Sequence, residues 1–112
     1  MDSRKKLVNE YKQRKLSGGI YKITNRLNQM YLLGHARDIK ALQNRFNFSV
    51  STGSCIQPRL QRDWKEFGGN VFTLEILETI ELKEGQSQDE FTDDLKMLEE
   101  MWRGNLDASK EY

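Results

Sequence analysis

Apolar positions along this chain follow two spacings, and each spacing predicts an element. Over residues 3–16, Leu7, Val8, Tyr11 and Leu16 form a thin apolar stripe among basic side chains, which is the period of a helix. Ser17-Gly18-Gly19 breaks it. Two short runs of β-branched and aromatic residues follow, roughly 20–25 and 30–34. The polar link Asn25-Arg26-Leu27-Asn28-Gln29 between them reads as the turn of a β-hairpin. Asp38 is placed to cap a helix of about residues 39–47 that carries Ile39, Leu42 and Phe46 on one side. The Ser-rich stretch 49–56, with Gly53, reads as a loop. Pro58 suits the first turn of a third helix, which carries Leu60, Trp64 and Phe67 and stops at Gly68-Gly69.

The clearest strand is 71–77, where Phe72, Leu74 and Ile76 fall on one face. An acidic, polar link from Glu81 to Gln88 leads to a last helix, with Phe91, Leu95, Leu98 and Trp102 as its stripe. The element order is α-β-β-α-α-β-α, which predicts an α+β domain around a small antiparallel sheet.

Composition narrows the class. With 112 residues the chain has room for one domain. No apolar run approaches the ~18 residues of a membrane span, and no signal-peptide core follows Met1-Asp2-Ser3-Arg4-Lys5-Lys6. Cys55 is the single cysteine, so an intrachain disulfide is excluded and a reducing, cytoplasmic setting is expected. The net charge of +1 conceals an asymmetry. Residues 1–65 hold 14 Lys and Arg against 4 Asp and Glu, whereas residues 66–112 hold 4 against 13. A basic face points to phosphate-rich partners, while the cancelling totals equally suit a domain that meets protein partners or copies of itself.

Gly19-Ile20-Tyr21, the hairpin positions Ile23, Asn25 and Asn28, and Leu32-Leu33-Gly34 together resemble the GIY-YIG nuclease family. Leu60-Gln61, Gly69-Asn70-Val71-Phe72 and Ile76-Leu77-Glu78 extend the resemblance from about residue 18 to residue 106. It implies a three-stranded antiparallel sheet flanked by helices, with residues 1–17 as an extra basic N-terminal helix and 18–112 as the GIY-YIG-like domain. It also implies cleavage of a DNA phosphodiester with Mg²⁺ or Mn²⁺, the cation being held by a glutamate. The first-motif Tyr would help activate water, and a helix Arg would stabilise charge on the phosphate.

Carried over residue by residue, the resemblance makes Tyr21 a catalytic candidate and Glu99 the metal-binding candidate. Glu99 also lies at the margin of the last helix's apolar stripe. Three departures stand beside them. Leu32 replaces the second-motif Tyr, and neighbouring Tyr31 points to the opposite strand face. Leu42 stands where the helix Arg belongs. Phe46 and Cys55 occupy two positions at which the family often has His. Arg45, one turn beyond Leu42, and His35, the only histidine, are the candidates for supplying the missing groups. Lys22, Arg37, Lys40, Arg59 and Arg62 are the candidate nucleic-acid contacts. Three readings follow: a nuclease-like domain that engages nucleic acid with weakened or lost cleavage, an active divergent endonuclease, or a charge-polarised protein-interaction module.

Overall fold

The structure, a computed structural model, describes residues 17–55 and 57–112; the helix expected over 3–16 lies outside the described residues. Strand β1 (Ser17–Asn25) pairs antiparallel with β2 (Tyr31–Ala36) on one side and with β3 (Phe72–Glu81) on the other, giving the sheet order β2-β1-β3. Helix α1 (Ile39–Thr52) follows the hairpin. A 3-10 turn, Pro58–Leu60, leads into α2 (Gln61–Phe67), and α3 (Gln88–Arg103) follows β3. The α+β architecture with a three-stranded antiparallel sheet is therefore as expected.

Side-chain alternation along the strands builds two cores, one on each face of the sheet. Tyr21, Ile23, Leu32 and Phe72 meet Ile39, Leu42 and Phe46 of α1 together with Leu60 and Trp64. Trp64 stacks on Phe72 with ring centres 4.9 Å apart and receives the edge of Phe46 at 6.1 Å. On the opposite face Ile20, Tyr31 and Leu33 pack with Leu98 and Trp102 of α3 and with Leu106. The sheet is thus sandwiched between α1–α2 and α3, and both apolar faces are covered.

Several boundaries differ from the expectation, each for a local reason. β1 begins at Ser17, so Ser17-Gly18-Gly19 is strand and not a break. A Cβ on Gly19 would stand 2.2 Å from the Glu78 carbonyl oxygen, so glycine lets β3 approach there. α1 runs on to Thr52, and within it the hydroxyls of Ser49, Ser51 and Thr52 donate to the carbonyls of Arg45, Asn47 and Phe48, at 2.8, 3.0 and 2.9 Å, instead of competing for the backbone outside a helix. Gly53, at φ 78°, then ends it. β3 extends to Glu81 past an irregularity opposite Ile20 and Tyr21, where Ile20 faces Glu78 and Tyr21 faces Ile76.

Two clamps fix the hairpin. Arg26 donates from its backbone to the Val71 carbonyl at 2.9 Å and from its guanidinium to the Asn70 carbonyl. At the other side, Tyr112 N–H donates to the Tyr31 carbonyl at 2.8 Å, and Tyr31 forms a bridge with Glu111. The Tyr112 hydroxyl donates to Asp63 at 2.7 Å and accepts from Asn25 at 3.1 Å. Among the described residues no helix is long and apolar enough to cross a membrane.

Candidate nucleic-acid interface

The site gathers around the open side of β2, the outer strand. Tyr21 lies on β1 opposite Gly34 in the register. A Cβ on Gly34 would fall 2.6 Å from both Cζ and the hydroxyl oxygen of Tyr21. The phenol therefore lies across bare backbone and reaches the cleft beyond β2, an approach that only glycine permits. Gln57 Nε2 donates to the Tyr21 hydroxyl at 3.0 Å, which leaves the phenolic proton as a donor.

Tyr21 and Gln57 stand at the junction of two connected hollows. One is lined by His35, Arg37, Asp38, Ala41, Leu42 and Arg45. The other is lined by Leu32, Leu33, Pro58, Arg59, Glu99 and Arg103. The cleft thus brings together Tyr21, His35, Arg45 and Glu99, along with Arg37 and Arg59. Lys22, Lys40 and Arg62 are not among its lining residues. Lys22 alternates with Tyr21 along β1, and its ammonium lies 5.5 Å from the centre of the Tyr31 ring. Tyr31 itself is buried, and its hydroxyl donates to the Asp107 carbonyl at 3.0 Å, so it does not take the second-motif Tyr's place.

The electrostatics determine what these groups can do. Burial pushes the Tyr21 phenol above its ordinary pKa, the Glu99 charge pushes it further, and Arg45 opposes the shift. Tyr21 is therefore a neutral hydrogen-bond donor near pH 7, suited to a phosphate oxygen and unsuited to act as a phenolate base. Burial likewise raises the Cys55 thiol, whose Sγ donates to the Gln57 carbonyl at 3.0 Å. That shift makes the thiol a poorer source of thiolate than an ordinary cysteine.

Glu99 is held from both sides. His35 Nδ1 donates to Oε1 at 2.8 Å, which places the ring hydrogen of neutral imidazole on Nδ1. Arg103 Nη2 donates to Oε2 at 2.9 Å. Arg103 also binds Glu100 and, through Nε, Glu111 at 3.0 Å. Burial works against the Arg103 charge, but its hydrogen bonds to Glu99 and Glu111 prevail and raise its pKa above the already high ordinary value.

Mg²⁺ and Mn²⁺ favour oxygen ligands and reach binding sites through one or two carboxylates plus phosphate and water. Among the described residues no three His, Cys, Asp or Glu side chains come together to hold a cation. Glu99, the acid that α3 brings to the cleft, already accepts from a guanidinium and an imidazole. Glu99 thus offers one carboxylate, and a divalent cation bound there would have to displace Arg103.

Leu42 is 2% exposed and fills the floor of the cleft where a donor would be needed. Arg45 supplies positive charge one turn further along. The pattern of residues did not reveal Gln57 or Arg103. Arg103 carries a local signal, a base four residues after an acid on one helix. Gln57 carries none, because its role depends on the fold bringing it 36 positions back to Tyr21.

Among solved structures, the chain is similar to the catalytic domain of the homing endonuclease I-TevI, with 29% identity, a TM-score of 0.61, and coverage of 85% of this chain and 95% of that one. A mutant of the catalytic domain of the intron endonuclease I-TevI matches at 28% identity and TM-score 0.61, covering 87% of this chain and 92% of the other. No protein-family profile and no curated protein matches.

Proposed function

We propose, starting from the GIY-YIG-like nuclease fold that this chain has, that the domain engages DNA in the cleft at β2 and that its metal-dependent phosphodiester cleavage is weakened or lost. The observation that carries this reading is the state of Glu99, both of whose oxygens are taken by His35 and Arg103. The buried Leu42 adds to it, since removing one transition-state donor typically costs about 10²–10³ in rate. Arg37, Arg45 and Arg59 supply the charge that would follow a phosphate backbone, and Tyr21 donates from between them. A cytoplasmic setting belongs to the same reading.

A second reading, an active divergent endonuclease, is favoured by the convergence of Tyr21, His35, Arg45 and Glu99 on one cleft. The two are separated by supercoiled-plasmid nicking in Mg²⁺ or Mn²⁺, run beside a binding titration at several salt concentrations. The proposed function expects binding that weakens steeply with salt, because phosphate contacts release counterions. It also expects no nicking by the wild type, or only slow nicking, with a gain in Leu42→Arg. Efficient wild-type nicking that vanishes in Glu99→Gln establishes the active reading instead. Absence of DNA binding at low salt sinks both and leaves a protein-interaction module.

A further inference from the structure

From Ile39 to Arg62 the chain carries Lys40, Arg45, Arg59 and Arg62 and no Asp or Glu at all. α1 makes up the first part of this stretch; of its cations Arg45 and Arg59 line the cleft, which Asp38, the N-cap of α1, lines together with Arg45. The buried residues of α1 are Ile39, Leu42, Phe46 and Ser49. At 100° per residue, Ala41, Arg45, Phe48 and Thr52 form a stripe along one flank of that buried face. Ala41 and Arg45 line the cleft. Phe48 is the next position on their stripe, about 4.5 Å further along the helix axis than Arg45, and it is 67% exposed. Helical side chains lean toward the preceding turn, which for Phe48 is the turn that bears Arg45.

A single exposed apolar residue is ordinary on a protein surface; the surroundings set this one apart. Met97 and Met101 are equally exposed, but they sit on α3 among Asp93, Asp94 and Glu100, where a phosphate backbone would be repelled. Phe48 sits one turn beyond Arg45 on a helix that carries no Asp or Glu. Grooves that hold unpaired strands combine these two elements, cations that track the backbone and an aromatic ring that takes the face of a base. A base in an intact duplex has both faces covered by its neighbours, so an aromatic ring outside the helix finds no face to stack on.

We infer that Phe48 is a stacking platform at the rim of the cleft, and that the domain takes single-stranded or locally unpaired DNA, with a base next to the phosphate at Arg45 lying on the Phe48 ring. The inference rests on the nucleic-acid reading above and specifies its substrate class. Stacking of this kind is worth about 1–3 kcal/mol per base by alanine substitution, which at 1.4 kcal/mol per tenfold is roughly 5- to 150-fold in affinity.

The test is fluorescence anisotropy at low salt with a labelled oligothymidine and a blunt duplex of equal length, using wild type, Phe48→Ala and Phe48→Trp. The wild type is expected to prefer the single strand. Phe48→Ala should lose roughly 5- to 150-fold on the single strand and less than about twofold on the duplex, with an unchanged salt slope because no charge is removed. Phe48→Trp should keep the preference. Equal single-strand affinity in wild type and Phe48→Ala, or equal losses on both DNAs, overturns the stacking inference while leaving DNA binding in place. Failure of the wild type to bind either DNA overturns the nucleic-acid reading and the inference with it.

Discussion

Leu42 joins the core to the cleft, because one side chain closes the packing under Ile39 and Phe46 and forms the floor beneath Tyr21. Its truncation removes buried methyl groups and leaves a void next to the site, so Leu42→Ala is expected to lower stability by about 2–5 kcal/mol. A urea titration checks this as a lower midpoint with an unchanged slope. An arginine has to pass from that floor into the cleft to be hydrated, so any activity gained by Leu42→Arg will come with a loss of stability. At this scale the motif spacing singled out Tyr21 and Glu99, the departures from it directed attention to Arg45 and His35, and all four line the cleft. Half of the clamp on Glu99 was not legible, because only the fold brings His35 of β2 to α3, whereas Arg103 follows Glu99 by four residues on one helix.

Gly34 shows how one position lets two elements cross. The Tyr21 ring occupies the space in which a Gly34 side chain would stand, so Gly34→Ala forces either the phenol or the β1–β2 pairing to move. The expected cost is that of overpacking, about 1–3 kcal/mol, measured as a lower melting temperature. A diagnostic accompanies it: Tyr21→Phe in the Gly34→Ala background should recover little, because the clash at Cζ survives removal of the hydroxyl. Within residues 17–112, element existence and order followed from the apolar periods, and the α3 stripe of Phe91, Leu95, Leu98 and Trp102 packs as its spacing requires. Boundaries were less legible. The Ser-rich end of α1 reads as a loop because hydroxyls compete with the backbone, yet in the helix they bond to carbonyls one turn back. The end of β3 was missed because the irregularity opposite Tyr21 shifts the alternation that identified its first half.

For the whole molecule, three tyrosines share one direction of shift. Burial is the largest cause in each case: it raises Tyr21 with help from Glu99, Tyr31 with help from Glu111, and Tyr112 with help from its hydrogen bond to Asp63. A phenol harder to ionise in the folded state contributes stability that is complete below its unfolded pKa of about 10 and is lost as pH rises through its folded value. The protein is therefore expected to hold its denaturation midpoint through the neutral range and to lose stability progressively above about pH 10. Tyr31→Phe should flatten that decline. The charge asymmetry visible in the sequence survives folding as an α1 without acidic residues, capped by Asp38, on one side of the cleft and an acidic α3 on the other.

The seat of Tyr112 has a further consequence, for how copies of the molecule meet. Among the described strands β2 has a neighbour on one side only, and such a strand offers free amides and carbonyls as a template for a strand from another copy. Glu111 and Tyr112 block that template at Tyr31, and the rest of the strand is left to the cleft. Tyr112→Ala, which removes the hydroxyl's grip on Asp63 and Asn25, should therefore register as concentration-dependent light scattering on standing, with DNA in the cleft slowing its growth.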